Sequence, residues 1–149
     1  MRDEDHDALF AFQRDPAAVR MAAFTHRDPD DRAAFEEHQH RVRTAAGIRH
    51  RAIERDGVLV GTVAAFTMEG EREVTYWVDP ARWGEGIATE ALRLLLLEEP
   101  ERPIHGRVAV HNTGSRRVLE RCGFVVVGQD RGFAAGLGAD TDELVLRLG

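Results

Sequence analysis

Residues Trp83-Gly84-Glu85-Gly86-Ile87-Ala88-Thr89 set two glycines two apart, directly ahead of a segment of helical apolar periodicity. Glycine lets the backbone turn tightly and approach a ligand closely. The first N–H groups of a helix point outward, with the positive end of its dipole behind them. The chemistry that such a turn offers is anion binding, phosphate above all. The same residues also make a tight turn whose glycines serve packing alone, and the turn by itself does not separate the two. Arg82, Arg116 and Arg117 are candidates to add charge beside a phosphate, against the alternative that each lies on a solvated face.

A second segment reads Asn112-Thr113-Gly114-Ser115-Arg116-Arg117-Val118-Leu119-Glu120-Arg121-Cys122-Gly123-Phe124. A polar cap opens a short helix, Val118, Leu119 and Cys122 share one face, and Gly123 sits where a helix is closed. The order is strand, Gly-x-Gly, helix, strand, Asn-x-x-Ser helix, Gly-Phe, strand. At this point the chain resembles the GNAT superfamily of acetyl-CoA-dependent N-acetyltransferases. Its Trp-Gly-Glu-Gly-Ile-Ala-Thr-Glu-Ala is most similar to the branch of the ribosomal-protein N-terminal acetyltransferases RimJ and RimL. The resemblance runs from about Asp3 to Leu148. It implies an α+β sandwich: a mixed, mostly antiparallel sheet flanked by helices. It also implies acetyl-CoA (coenzyme A) as cosubstrate and an acetyl group moved to a primary amine, either a polypeptide N-terminus or a small molecule, by direct attack in a ternary complex.

The resemblance assigns roles as well. Backbone groups around Trp83, Gly84, Glu85, Gly86, Ile87, Ala88 and Thr89 would hold the diphosphate. Those of Tyr76, Trp77 and Val78, at the end of the preceding strand, would pair with the pantetheine amides. Asn112 matches a cofactor-contacting asparagine, although a helix cap explains it nearly as well. The tyrosine that many members use to protonate the leaving sulfur is replaced by Leu119. The chain has one serine and one tyrosine, and Ser115 occupies the position of the acid proposed for the RimL-like branch. A serine hydroxyl is a poor acid, so its expected role is to hydrogen-bond the thiolate and relay a proton; the other hydroxyl candidates are Tyr76 and, behind it, Thr113. Glu73 aligns with an acidic residue of this branch and is the first candidate for the base. His111 is the second, because it titrates in the useful range. An acceptor that is a peptide N-terminus, with a pKa near 8, needs no dedicated base.

The elements that must position these residues follow from periodicity and punctuation. A helix is predicted over 5–13, and Asp15-Pro16 reads as a cap followed by proline at the first helical position. Asp28-Pro29 repeats that signal ahead of a helix reaching about Ala45, with Phe35, His38, Val42 and Ala45 on one side. Strands are predicted over 49–54 and 59–68 across the Asp56-Gly57 turn, and over 73–78. Ile87, Ala91, Leu92, Leu94 and Leu95 give the next helix a broad buried face, stopped by Pro100 and Pro103. Alternation of Ile104, Gly106, Val108 and Val110 makes a further strand. Two more, 124–128 and 143–148, are separated by a glycine-rich loop at 132–138. Members of the resembled family usually start with a strand that this sequence lacks ahead of its first helix: either the strand is lost, a start site upstream was missed, or a partner chain supplies the edge. An uncovered sheet edge would invite pairing, and of these a homodimer is the expectation.

The 149 residues suit one domain. The longest wholly apolar run, residues 94–97, is too short to span a bilayer, and the N-terminus has no apolar signal core, which predicts a cytoplasmic protein with no membrane partner. A single cysteine, Cys122, excludes an intrachain disulfide and fits a reducing compartment. The formal charge of −6 argues against nucleic acid and would draw cationic amines, or only keep the protein soluble. His38-x-His40 places its rings on different faces, so no metal is expected. Gly-Ser-Arg-Arg is not a hydrolase elbow, and threonine at 89 breaks a dinucleotide fingerprint. The alternative of another class is a non-catalytic acyl-CoA-binding or regulatory module of the same fold.

Overall fold

A computed structural model of the chain describes residues 3–23 and 28–149. Its strands are β1 (Arg49–Arg55), β2 (Val58–Met68), β3 (Glu71–Val78), β4 (Ile104–Ala109), β5 (Val125–Ala134) and β6 (Ala139–Leu148). Its helices are α1 (Asp3–Arg14), α2 (Pro16–Ala22), α3 (Arg32–Thr44), α4 (Ile87–Glu98) and α5 (Thr113–Arg121). The strands form one sheet in the order β1-β2-β3-β4-β6-β5, antiparallel everywhere except between β3 and β4. This is the expected α+β fold, and among the described residues no strand precedes α1.

Side-chain alternation along each strand sends one set to each face. On one face Val63, Val74, Val108 and Leu146 pack against Leu92 and Leu95 of α4 and Leu119 of α5. On the other, Leu59 meets Leu9 of α1 and Phe35 of α3, while Ala109 and Ala134 meet Ala23 at the end of α2. Two helices therefore cover one side and three the other. None of the described helices is long and apolar enough to cross a membrane.

Several elements differ from expectation. Asp15 does cap α2, but α3 is capped by Asp31, whose side chain accepts from the Ala34 N–H at 3.0 Å. Asp28 instead closes a turn onto the Asp30 N–H. Phe35 faces inward as expected, but Gln39 and not His38 is buried with it, and Ala45 is exposed. In α4 the buried positions include Thr89, while Leu94 is 58% exposed, because only one stripe of a surface helix reaches the sheet. The glycine-rich stretch at 132–138 is partly strand: Gly132, Phe133 and Ala134 pair with Thr141, Asp140 and Ala139, leaving a four-residue turn at 135–138. That turn is seated on α2. The Gly136 N–H donates to the Ala23 carbonyl at 2.7 Å, and a Cβ at 136 would lie 2.2 Å from the Val19 carbonyl oxygen.

The feature that positions a site lies mid-sheet. β3 stays paired with β2 along its length and β4 with β6, yet β3 and β4 share only the register Arg72–Val74 against Ile104–Gly106. Beyond Val74 each strand follows its other neighbour and the two part. Gly61 sits beside a register shift in β1–β2, opposite Val78, and a Cβ there would come 2.1 Å from the Trp77 carbonyl oxygen. Only glycine allows the backbones that close an approach. Gly61→Ala is therefore expected to destabilise the fold by about 3 kcal/mol, since backbone must shift. A denaturant midpoint equal to the parent's would show that the end of β3 does not lie against Gly61.

Candidate active site

Hydrogen-bond parity decides which backbone groups face the gap between β3 and β4. The Asp79 N–H donates to the Val60 carbonyl at 2.8 Å, which makes those residues a hydrogen-bonded pair. Two residues along the antiparallel ladder, Trp77 pairs in the same way with Thr62. The backbone of Trp77 is thus committed to β2, whereas Tyr76 and Val78 direct theirs toward the gap. Of the three residues expected to offer free peptide groups, two do. The Val78 carbonyl also accepts from the Trp83 indole Nε1 at 3.2 Å, tying the following turn to the strand end.

That turn begins with Asp79, whose side chain accepts from the Ala81 N–H and starts a turn of 3-10 helix, Pro80–Arg82. Gly84 and Gly86 follow with φ of 87° and 78°, left-handed values that favour glycine. A Cβ built on either meets nothing within 4 Å, so both face open space. Gly86 is the N-cap of α4 and has no side chain to satisfy the amides of the first turn. The amides of Ile87, Ala88 and Thr89 are therefore left to a ligand, with the helix dipole behind them. This fits a diphosphate. Arg82 stands 3.6 Å from Glu85, which also lies 4.0 Å from Arg55, and Arg116 bonds Glu120 at 3.2 Å. Arg117 and Arg121 line the cavity and have no salt bridge among the described residues; of the arginines named as candidates, Arg117 is the one left without a carboxylate partner there.

α5 brings up the hydroxyls. Asn112 is its N-cap, accepting from the Ser115 N–H at 3.1 Å. Leu119 lies on Gly106 of β4, where a Cβ would come 2.7 Å from the leucine methyl. This packing fixes the helix over the gap and gives Leu119 an apolar role in place of a hydroxyl. Ser115 Oγ then lies 2.6 Å from the Tyr76 hydroxyl, which also reaches the Ser115 carbonyl at 3.1 Å. Burial pushes the Tyr76 phenol well above its ordinary range, against the opposing effect of the Ser115 bond. Tyr76 is thus a neutral donor.

Glu73 occupies the opposite face of the sheet, since Tyr76 packs with α4 and α5 and three residues reverse the side. It lies within β3, not at its start. Its carboxylate is 6% exposed and stands 3.5 Å from Arg107 Nε. Burial raises its pKa, with Arg107 opposing. Arg107 also bonds Asp130 at 2.7 Å and Glu143 at 3.2 Å. The bond to Asp130, with that to Glu143, holds the guanidinium charged against burial. The sequence reading missed Arg107, Asp130 and Glu143. A signal existed, because a charged residue amid the apolar alternation of β4 must face something polar across the sheet.

A cavity of about 1030 Å³ joins these parts, lined among others by Glu73, Tyr76, Gly86, Arg107, Ser115 and Arg117. It runs from the open end of α4, past the parted strands, to the carboxylates on the far face. Trp77, Val78, Trp83, Ile87, Ala88, Thr89 and Asn112 line it too. His111 does not. Its ring is exposed and bonded through Nε2 to the Arg20 carbonyl at 2.8 Å, because the strand end turns it toward α2.

Residues 1–125 match the family model described as the acetyltransferase (GNAT) domain. None of the curated proteins matches the chain significantly. Solved structures are similar throughout. A ribosomal-protein-alanine N-acetyltransferase from Brucella melitensis shares 22% identity with a TM-score of 0.79, over 99% of this chain and 96% of that one. The Mycobacterium smegmatis RimJ bound to CoA-disulfide shares 24% at 0.77, over 99% and 78%. The acetyltransferase yncA from Salmonella typhimurium, with its cofactor acetyl-CoA, shares 22% at 0.73, over 99% and 90%.

The burial of Glu73 has a pH signature. Its pKa is raised on folding, so its proton favours the folded state below the ordinary value of 4.5, and that contribution is lost as the pH rises through the folded-state value. Glu73→Gln cannot titrate. Its stability relative to the parent is expected to increase as the pH is raised from about 4 to 7, then level off. Denaturant midpoints across that range check this; a difference independent of pH would contradict the buried placement.

Proposed function

The chain belongs to the GNAT acetyltransferase family, and from that premise we propose which residues carry acetyl transfer from acetyl-CoA to a primary amine, either a polypeptide N-terminus or a small molecule. Acetyl-CoA-dependent N-acetylation is the chemistry of the family. The proposal concerns how this chain performs it, by direct attack within a ternary complex. One observation carries it. The gap-facing backbone of Tyr76 and Val78, the uncapped amides at Ile87–Thr89 and the Tyr76–Ser115 hydroxyl pair all border one cavity.

The diphosphate of the cosubstrate is held by the amides after Gly86, with Arg117 beside it. The pantetheine arm extends the sheet along the free edge of β3, so its amides replace the hydrogen bonds that β4 does not supply beyond Val74. This directs the thioester into the gap. An amine arriving from the Glu73 side meets it there as a neutral nucleophile, its proton passed to the Glu73 carboxylate directly or through water. Burial makes Glu73 a stronger base than an exposed glutamate, which suits that step.

Attack on the carbonyl forms the C–N bond, and collapse breaks the C–S bond and releases a thiolate. Ser115 donates its Oγ–H to that sulfur while Tyr76 donates to Ser115 Oγ. The phenol is too weakly acidic to surrender its proton to a thiolate, so the pair stabilises the leaving group as hydrogen-bond donors. The released thiolate takes its proton from the solvent or from the protonated base.

Two measurements test this. Calorimetric titration with acetyl-CoA should give micromolar binding, and Gly86→Glu, which sets a carboxylate into the open space before α4, should abolish it. Thiol release should then fall by about tenfold to a hundredfold in kcat for Ser115→Ala, and less for Tyr76→Phe, with KM for acetyl-CoA little changed. Binding without turnover of any amine would favour the non-catalytic alternative. An unaltered kcat in Ser115→Ala would remove the serine from the mechanism.

A further inference from the structure

The acceptor end of the cavity carries more negative charge than an amine nucleophile requires. Glu73, Asp130 and Glu143 share the single guanidinium of Arg107. Three carboxylates against one cation leave a formal −2. Glu73 has no hydrogen bond among the described residues, only the 3.5 Å ion contact, and its carboxylate is nine-tenths buried on the cavity wall. Glu69 and Glu71 lie on the same lining, at the turn into β3. Arg82, Arg117 and Arg121 also line the cavity, Arg82 standing two residues before Gly84 and in ion contact with Glu85 at 3.6 Å. The cavity is therefore polarised along its length, positive where α4 begins and negative where the acceptor enters.

We infer that the acceptor is an aliphatic amine bearing a second cationic group, and that amines carrying a carboxylate are rejected. The inference rests on the acetyl-transfer reading of the same cavity. When a monoamine attacks, its proton passes to Glu73, and Asp130 and Glu143 are then left to share Arg107 with no second cation. A second ammonium or guanidinium a few carbons away keeps its charge throughout. Glu143, 17% exposed, and Asp130, at the rim, are the groups to receive it. Ala18, Met21 and Ala22 of α2 and Phe66 of β2 also line the cavity and offer apolar contact for the spacer. An acceptor carboxylate would meet Glu73 and Glu143 instead, and Arg107, bonded to two carboxylates and in ion contact with a third, has no capacity to receive it.

The test compares 1,4-diaminobutane, butylamine and 4-aminobutanoate, which share a chain length and differ in the charge at the far end. A tripeptide pair, Ala-Lys-Ala and Ala-Glu-Ala amides, asks whether the second cation belongs to a free diamine or to a side chain beside a peptide N-terminus. kcat/KM by thiol release is expected to fall by about tenfold at each step from diamine to monoamine to amino acid, the size of one charge contact at a partly solvated site. Glu143→Gln and Asp130→Asn should each shrink the diamine-to-monoamine ratio several-fold, and added salt should do the same. Calorimetric titration of the three amines, with and without CoA, reads the preference without turnover. Equal values for diamine and monoamine, or a preference for 4-aminobutanoate, would overturn the inference. So would failure of the diamine to bind protein that does bind acetyl-CoA. Failure of acetyl-CoA itself to bind would instead remove the acetyl-transfer reading, and the diamine titration alone would then decide this one.

Discussion

The parting of β3 from β4 is the constraint from which the rest of the site follows. A parallel pair inside a sheet would ordinarily continue its ladder, and unpaired backbone groups in a buried setting are costly unless something meets them. Here the ladder stops after Val74 and Gly106, with six-residue β4 still held by β6 and β3 still held by β2. The gap exists because both strands have a better partner on the outer side. It exposes the N–H and C=O groups of Tyr76 and the N–H of Val78, whose carbonyl takes the Trp83 indole, while leaving those of Trp77 in the β2 ladder, so the free edge has fixed polarity and spacing.

Both ends of the gap are clamped. At the closed end Arg72 of β3 donates to Glu99, just beyond α4, at 2.9 Å, both side chains being nearly buried, and it also reaches the Gly47 carbonyl. Removing one partner of such a pair is far more damaging than the net worth of the pair suggests, because it strands a buried charge. At the open end the Trp83 indole on Val78 and the fit of Gly61 against Trp77 hold the strand terminus, and the helix dipole of α4 points at it. α5 is held over the middle by Leu119 on Gly106. Local glycines thus do different work: Gly61 and Gly106 permit contact, whereas Gly84 and Gly86 permit access.

Much of this was legible in the sequence because it is local. Gly-x-Gly before a periodic segment, Asn112 ahead of Ser115, Asp15-Pro16 and Asp56-Gly57 are each decided by backbone chemistry within a few residues. The cap of α3 was not, since Asp28, Asp30 and Asp31 are equivalent as types and only the burial of Phe35 and Gln39 selects among them. The length of the β5–β6 hairpin depended on α2 accepting Gly136, a contact more than a hundred residues away in sequence. The same holds for the site. Ser115 beside Tyr76 needs α5 to be packed on β4, and the sharing of Arg107 by Glu73, Asp130 and Glu143 needs four strands in register. His111 shows the converse: a residue of useful chemistry beside the right motif was turned toward α2 by the strand end.

The measurement that bears most directly on the open edge is amide hydrogen exchange, residue by residue, with and without CoA. The account requires that CoA slow exchange at one or both of the Tyr76 and Val78 amides and at Ile87, Ala88 and Thr89, while Trp77, already bonded to β2, changes little. Protection that spared Tyr76 and Val78, or that fell equally on Trp77, would mean that the cosubstrate does not extend β3 and that the parted strands serve another purpose.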